Sequence, residues 1–225
     1  MDVVTVKATD SISLKSSNIS QKIKNALEEN GTVTVTNCDV LNGIASGLRK
    51  GEVIIKGSPG DYVGTLNSGA KIIIEGNVGN YIGDNMTSGE IIVRGSAGYC
   101  AAPYCYGGTI IISGSCGDFL GTMNKGASIL VEENAGNDLG TYMLAGNIIL
   151  LGNAGERVGN FLISGRIFIR GKWKSLGNNT KIDDLSSDDI YFLQRLFSTY
   201  NVEAKPEEFT KIIAETDKPF YSKKS

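Results

Sequence analysis

From residue 53 onward the apolar positions return every 19 residues. One ladder is Val53, Ile72, Ile91, Ile110, Ile129, Ile148 and Ile167. A second, two residues further on, is Ile55, Ile74, Val93, Ile112, Val131, Leu150 and Ile169. β-Branched and aliphatic triplets that end in glycine turns read as short strands. They are predicted near 53–55, 72–74, 91–93, 110–112, 129–131, 148–150 and 167–169. Nothing between them has a helical period long enough for a βαβ crossover. Each strand must therefore stack directly on the next, about 4.8 Å apart, so that seven coils make a rod of roughly 30–35 Å.

The glycines share the period. Gly57, Gly76, Gly95, Gly114, Gly152 and Gly171 form one series, with Glu133 in its gap. Gly60, Gly79, Gly98, Gly117, Gly136 and Gly155 form a second. Gly64, Gly83, Gly121, Gly140 and Gly159 form a third, with Ala102 in the missing slot. The unit is G-x-x-G-x-x-x-G. Corners that turn sharply at the same height are expected to need φ > 0, which costs an L-residue roughly 1–2 kcal/mol, and to leave little room for a Cβ. Pro59, Val78, Ala97, Cys116, Ala135 and Ala154 are small enough to face the corner interior. The fold class expected is all-β: a single-stranded right-handed parallel β-helix of about seven coils, with short helices capping its N- and C-terminal ends.

The flanks break the pattern. Residues 1–37 read as an N-terminal cap: a short strand within 2–7, a helix over Ser20–Asn30 opened by a serine, and a strand over Thr32–Thr36. Residues 38–177 are the β-helix, whose first coil (38–50) looks degenerate, with Gly43 and Gly47 out of phase. Residues 178–225 read as a helical cap or docking segment. Ser186 and two acids precede Ile190, Leu193, Leu196, Phe197 and Tyr200, spaced as one helix face. A second short helix is expected from Pro206 through Ile213. With Phe192, Phe209 and the tail residue Phe220, this segment holds more aromatic surface than one rod end needs for covering, which marks Phe209 and Phe220 as candidate partner contacts.

Composition narrows the chemistry. A net charge of −2 over 225 residues gives no basic face for nucleic acid and no attraction to an anionic membrane. The start MDVVTVKATD has no signal-peptide character, which points to the cytoplasm. The chain has no histidine, so histidine-dependent triads and the commonest metal ligand are missing. Neither G-x-S-x-G nor G-x-G occurs, and the one Gly-Lys pair, Gly171-Lys172, runs into Trp173. Cys38, Cys100, Cys105 and Cys116 have no zinc or iron–sulphur spacing and read as buried thiols. Hexapeptide acyltransferases build their coils from six-residue steps and rely on histidine. A polysaccharide lyase would need Arg94, Arg157 or Arg170 to converge with Asp61 or Asp84, and these lie scattered over repeat positions. One coil stands out: between Gly98 and Gly107 it gains Tyr99, Pro103, Tyr104 and Tyr106. It is either a repacked corner or a partner surface. No catalytic, cofactor-binding or metal-binding residue is assigned.

The 19-residue G-x-x-G-x-x-x-G unit, the entry helix and strand, and the exit through Ser175-Leu-Gly177 to an acid-capped helix resemble the glutamate synthase family. The match is to the C-terminal domain of the large subunit, named for its GXGXG motif. In split systems this domain is a separate polypeptide. The resemblance implies a non-catalytic structural subunit that organises a glutamine amidotransferase subunit and a synthase subunit carrying flavin and an iron–sulphur cluster, with homo-oligomers also open. The C subunit of formylmethanofuran dehydrogenase carries a similar repeat and is the alternative. A stand-alone hydrolase or lyase on a β-helix is the distant one.

Overall fold

The computed structural model describes residues 4–7 and 16–218. Its elements are β1 (Val4–Lys7), α1 (Ser16–Asn30), β2 (Thr32–Thr36), β3 (Glu52–Lys56), β4 (Ser68–Ile74), β5 (Ser88–Val93), β6 (Thr109–Ile112), β7 (Lys125–Val131), β8 (Ala145–Leu150), β9 (Arg166–Ile169), β10 (Thr180–Asp183), α2 (Ser187–Tyr200) and β11 (Thr210–Ala214). One sheet runs β1 to β9 in chain order, all parallel, and then β11 and β10, both antiparallel. This is a right-handed parallel β-helix of about 7 turns. The seven strands expected from the apolar period fall within β3 to β9. Both interior ladders are 0 % exposed throughout, with Val53 opposite Ile72, Ile72 opposite Ile91, and so on to Ile167. Burying each such side chain contributes about 1.5–3 kcal/mol, and the 19-residue period puts every one on the same column.

The corners use glycine for two different reasons. Only the third series has the expected left-handed backbone: Gly64, Gly83, Gly121, Gly140 and Gly159 sit at φ +66 to +72°. In the second series, and from Gly76 onward in the first, glycine is needed for space. A Cβ at Gly79, Gly98, Gly136 or Gly155 would fall on the side-chain oxygen of Asp61, Asn80, Asp118 or Asn137 in the coil below. Those oxygens are occupied. Asp61 Oδ1 accepts the Asn80 N–H at 2.7 Å, Asn80 Oδ1 the Tyr99 N–H at 2.7 Å, Asp118 Oδ1 the Asn137 N–H at 2.6 Å and Asn137 Oδ1 the Glu156 N–H at 2.9 Å. Ser58, Asn77, Ser96, Ser115, Asn134 and Asn153 form the same kind of ladder after the first glycine. The corner N–H groups are thus capped by the neighbouring coil's side chain, and glycine clears the path.

The left-handed conformation also extends beyond glycine. Tyr62, Tyr81, Cys100, Phe119, Asp138 and Arg157 have φ between +52 and +64°, and Leu66, Asn85, Tyr104, Met123, Tyr142 and Phe161 between +52 and +58°. Each corner alternates, sending Tyr62 N–H to Asn80 O above, Gly64 N–H to Ile44 O below and Leu66 N–H to Asp84 O above. Gly43 and Gly47, which look out of phase as glycines, lie 19 residues before Tyr62 and Leu66 and share their left-handed φ of +68 and +63°. The first coil is therefore a regular coil with its glycines in the other slots. Ala102 keeps φ +58° without glycine.

The N-terminal cap is a β1–α1–β2 crossover. Ile19, Ile23 and Leu27 of α1 join the interior cluster of the coils and close its open end. The helix begins at Ser16 rather than Ser20. Ser20 is buried within it, and its hydroxyl donates to Gly43 O at 2.9 Å, so this serine ties the cap to the first coil instead of capping the helix.

The C-terminal segment differs more from expectation. Ser186 caps α2 in a full capping box with Asp189. The helix then lies along the rod's flank over the outward residues Ile92, Ile111, Leu130, Ile149 and Phe168, which contact Leu193, Leu196 and Phe197. The expected second helix is a single 3-10 turn, Pro206–Glu208, followed by β11. The free edge of β9 needs backbone partners, and β11 supplies them, pairing Ile212 with Ile167 and Thr210 with Ile169. That demand outweighs the helical spacing of Phe209, Ile212 and Ile213.

Where α2, β10 and β11 meet, Asp189 is 2 % exposed. Its carboxylate accepts from Arg166 Nη1 at 2.8 Å, Lys211 Nζ at 2.9 Å, Ser186 N–H at 2.8 Å and Ser186 Oγ at 2.7 Å. Burial opposes ionisation, yet these donors hold the carboxyl well below the usual range. Lys211 also contacts Asp183 at 2.8 Å.

Three substitutions test this account. Gly136→Ala should cost about 2–4 kcal/mol in urea denaturation, since its Cβ displaces the Asp118 acceptor. Gly117→Ala should cost less, because its Cβ meets only backbone atoms, at 3.0–3.1 Å. Asp189→Asn should destabilise the chain by about 3–5 kcal/mol and loosen α2 in hydrogen exchange. Because the folded pKa is depressed, the wild-type contribution is complete above about pH 4 and declines as pH falls below it. Thermal melts of the variant should lack that acid-side dependence.

Candidate functional site

The corner column beside Tyr62 carries most of the exposed apolar side chains. Tyr62, Leu66, Tyr99, Tyr104, Tyr106 and Tyr142 are all more than a third exposed. Tyr62 and Tyr81 stack at 4.9 Å between ring centroids and 8° between planes. Tyr99 continues the stack at 5.8 Å from Tyr81, and Phe119 lies 5.4 Å beyond it. Tyr99 holds the repeat slot of Asn80, and its ring fills the gap that Cys100 leaves in the aromatic column. Further along, Tyr142 and Phe161 stack at 5.5 Å, and Asp138 and Arg157 occupy the slots that follow Phe119. Tyr104 and Tyr106 sit on the neighbouring edge, where Lys125 Nζ lies 2.8 Å from the Tyr106 hydroxyl and 4.1 Å from its ring centroid. The three tyrosines of the irregular coil are thus surface residues of a longer stripe.

Phe209 is not part of that surface. It is 5 % exposed and packs 5.4 Å from Phe197 beneath α2. Phe192 and Tyr200 are partly buried against the same outer face, and the Tyr200 hydroxyl donates to Glu90 Oε1 at 2.6 Å. Burial and this carboxylate push the phenol up to about 12. Phe192, Phe197, Tyr200 and Phe209 are therefore spent on covering the chain's own sheet, while Tyr191 stays exposed. Phe220 lies outside the described residues.

The groups required for lyase chemistry do not converge. Arg157 is paired with Asp138 and Arg170 with Glu208, while Asp61 caps a backbone N–H and Asp84 accepts from Asn85 Nδ2 at 2.8 Å. Among the described residues no group of three His, Cys, Asp or Glu side chains is placed to hold a metal ion, and no helix is long and apolar enough to cross a membrane. A surface depression of about 350 Å³ at the end of α2 gathers Lys71, Glu90, Arg94, Glu132 and Tyr200, with both signs of charge mixed.

The four cysteines are free and buried. Burial raises the Cys38 and Cys100 thiols to about 11 and Cys105 to about 12, and moves Cys116 higher still. Cys105 Sγ donates to Gly83 O at 3.2 Å. Native protein at pH 8 should consume almost no thiol reagent within minutes, and all four thiols should react on denaturation. Fast labelling of Cys100 or Cys105 in native protein would contradict this placement.

The family model described as the GXGXG motif matches residues 18–217, nearly all of the described chain. The chain belongs to the GXGXG motif family. It is the family of the C-terminal domain of the glutamate synthase large subunit. The match runs from within α1 to just past β11, so most of α1, the glycine repeat and the C-terminal segment through β11 fall inside it, and β1 lies outside. Comparison with curated proteins yields no match.

Two periodic features of this domain had gone unread in the sequence. One is the Asn, Asp or Ser that follows the glycines of the first two series, with Tyr99, Glu156 and Lys172 as the exceptions. The other is a fourth glycine series, Gly51, Gly89, Gly108, Gly146 and Gly165, at φ +85 to +95°. Ala70 and Ala127 fill its gaps, and there alone the buried Asn67 and Asn124 fold back to bond the alanine's N–H and carbonyl.

Proposed function

We propose that this chain is a non-catalytic structural subunit of a glutamate-synthase-type complex. It holds a glutamine amidotransferase subunit and a synthase subunit in fixed relation, and the flavin and iron–sulphur cluster belong to the synthase subunit. The observation that carries the reading is the GXGXG match over residues 18–217, in a family associated with glutamate synthase complexes. The architecture supports it physically. A stack of identical coils changes shape little when loaded, because each coil is bonded to two others along its whole path. Such a rod suits the task of fixing a distance between two active sites.

The test is reconstitution from purified subunits. The chain alone is expected to turn over neither glutamine nor an ester and to carry no flavin colour. Added to the two catalytic subunits, it should give a stoichiometric complex by light scattering and raise glutamine-dependent glutamate formation. No binding to either subunit would end the proposal. Binding to a molybdopterin-bearing subunit instead would move the chain to a formylmethanofuran-dehydrogenase-like scaffold.

A further inference from the structure

The aromatic column stands where the backbone would accept something cheaper. At φ near +60° glycine is unstrained and asparagine is the best tolerated L-residue, whereas a bulky side chain costs roughly 1–2 kcal/mol. The same slots hold Gly43, Gly47 and Asn85 elsewhere in the rod. Tyr62, Tyr81, Tyr104 and Phe119 hold it with large rings, Tyr62 and Tyr104 well exposed. Corner geometry does not call for these rings, and strain retained at exposed positions points to use.

The charge beside this stack is one-sided. The corner segments 58–67, 77–86, 96–105 and 115–124 carry Asp61, Asp84 and Asp118 and no cation; Asp138, Glu156 and Arg157 follow at 134–143 and 153–162, and Lys172, Lys174 and Lys181 at the last corner, 172–181. The whole chain is nearly balanced, with 22 Lys and Arg against 24 Asp and Glu. Arg157 shows what the column accepts. It occupies an aromatic slot and lies on Asp138, with Nε 2.9 Å from Oδ1 and Nη2 2.5 Å from Oδ2. Flat rings beside carboxylates suit guanidinium groups, which stack on the first and bond the second.

We infer that the corner column from Tyr62 through Tyr81 and Tyr99 to Phe119 is the docking face for an arginine-bearing surface of a catalytic partner subunit. This rests on the reading of the chain as a subunit of such a complex. It differs from docking through the C-terminal segment, where Phe192, Phe197, Tyr200 and Phe209 pack against the chain's own sheet.

The experiment measures binding of the full chain to each purified catalytic subunit by titration calorimetry. Tyr62→Asn/Tyr81→Asn keeps the corner conformation and removes the rings. Asp84→Lys/Glu156→Lys reverses charge on the same face. Tyr191→Ser, on the exposed side of α2, is the control. Each double variant should weaken binding at least tenfold while the control leaves it unchanged, and raising salt should weaken the wild type more than the charge-reversed variant. If the wild type binds neither subunit, the complex reading itself fails. If the wild type binds and both double variants bind equally well, the subunit reading stands and this face is not the interface. If only the ring variant loses affinity and salt has no effect, the arginine-bearing partner is overturned. If the wild-type chain self-associates and the double variants do not, the face belongs to a second copy of the chain.

Discussion

Everything in this rod depends on satisfying the corner backbone at each level from the levels above and below. In the strands the ladder does this by itself. At the corners the chain turns, and N–H groups that leave the ladder would be stranded at a cost of about 1–3 kcal/mol each. The solution is a short acceptor (Asn, Asp or Ser) whose oxygen reaches one coil upward, with a glycine directly above it so that no Cβ stands in the way. Acceptor and glycine are one device seen in two coils. This locks the period: an insertion of one residue would misalign every acceptor with its N–H as well as shifting the apolar columns.

The same logic explains the ends. A stack has two open faces and two strand edges, and each is closed in a different way. At the start the α1 crossover fills the interior with Ile19, Ile23 and Leu27 while β1 covers the edge. At the finish β11 and β10 reverse direction, so the parallel repeat has no unpaired neighbour of its own kind to recruit. The Asp189 cluster joins both jobs. It binds Arg166 on the last repeat strand and Lys211 on the closing strand to the first turn of α2. Edge closure and flank coverage are therefore mechanically coupled, and loosening one is felt by the other.

The strands, their register and both interior columns were legible because a 19-residue period repeats the same signal seven times. What was misread lacked repetition or hid behind a stronger signal. Thr210–Ala214 has helical spacing locally, and only the free edge of β9, a fact about another part of the chain, makes it a strand. The role of α2 had a signal that went unread: Ile73, Ile92, Ile111, Leu130, Ile149 and Phe168 form an outward ladder of unbroken apolar character. A solvent-facing strand row would have been polar, so something had to cover it, and the covering helix follows. That ladder takes up Phe192, Phe197, Tyr200 and Phe209, which in isolation resemble docking surface. At the corners both reasons for glycine are legible, but not which series obeys which, since sequence shows the missing side chain but not whether φ or a neighbour's oxygen forbids it.

Position in the repeat therefore separates structural from optional chemistry on this surface. Where a slot demands glycine, an acceptor or a β-branched residue, its occupant follows from the fold and says little about use. Where a slot tolerates anything, its occupant is informative. The left-handed slots at Tyr62 and Leu66 are of the second kind, since glycine, cysteine, aliphatic, polar, charged and aromatic side chains all occupy their columns along one rod. Within those columns the rings cluster in contact with one another, and the corners that carry the stack from Tyr62 to Phe119 hold acids and no cation although the chain as a whole is balanced. The fold can be built without either bias. A partner that stacks on rings and carries positive charge accounts for both at once, and this is the ground for the proposed docking face.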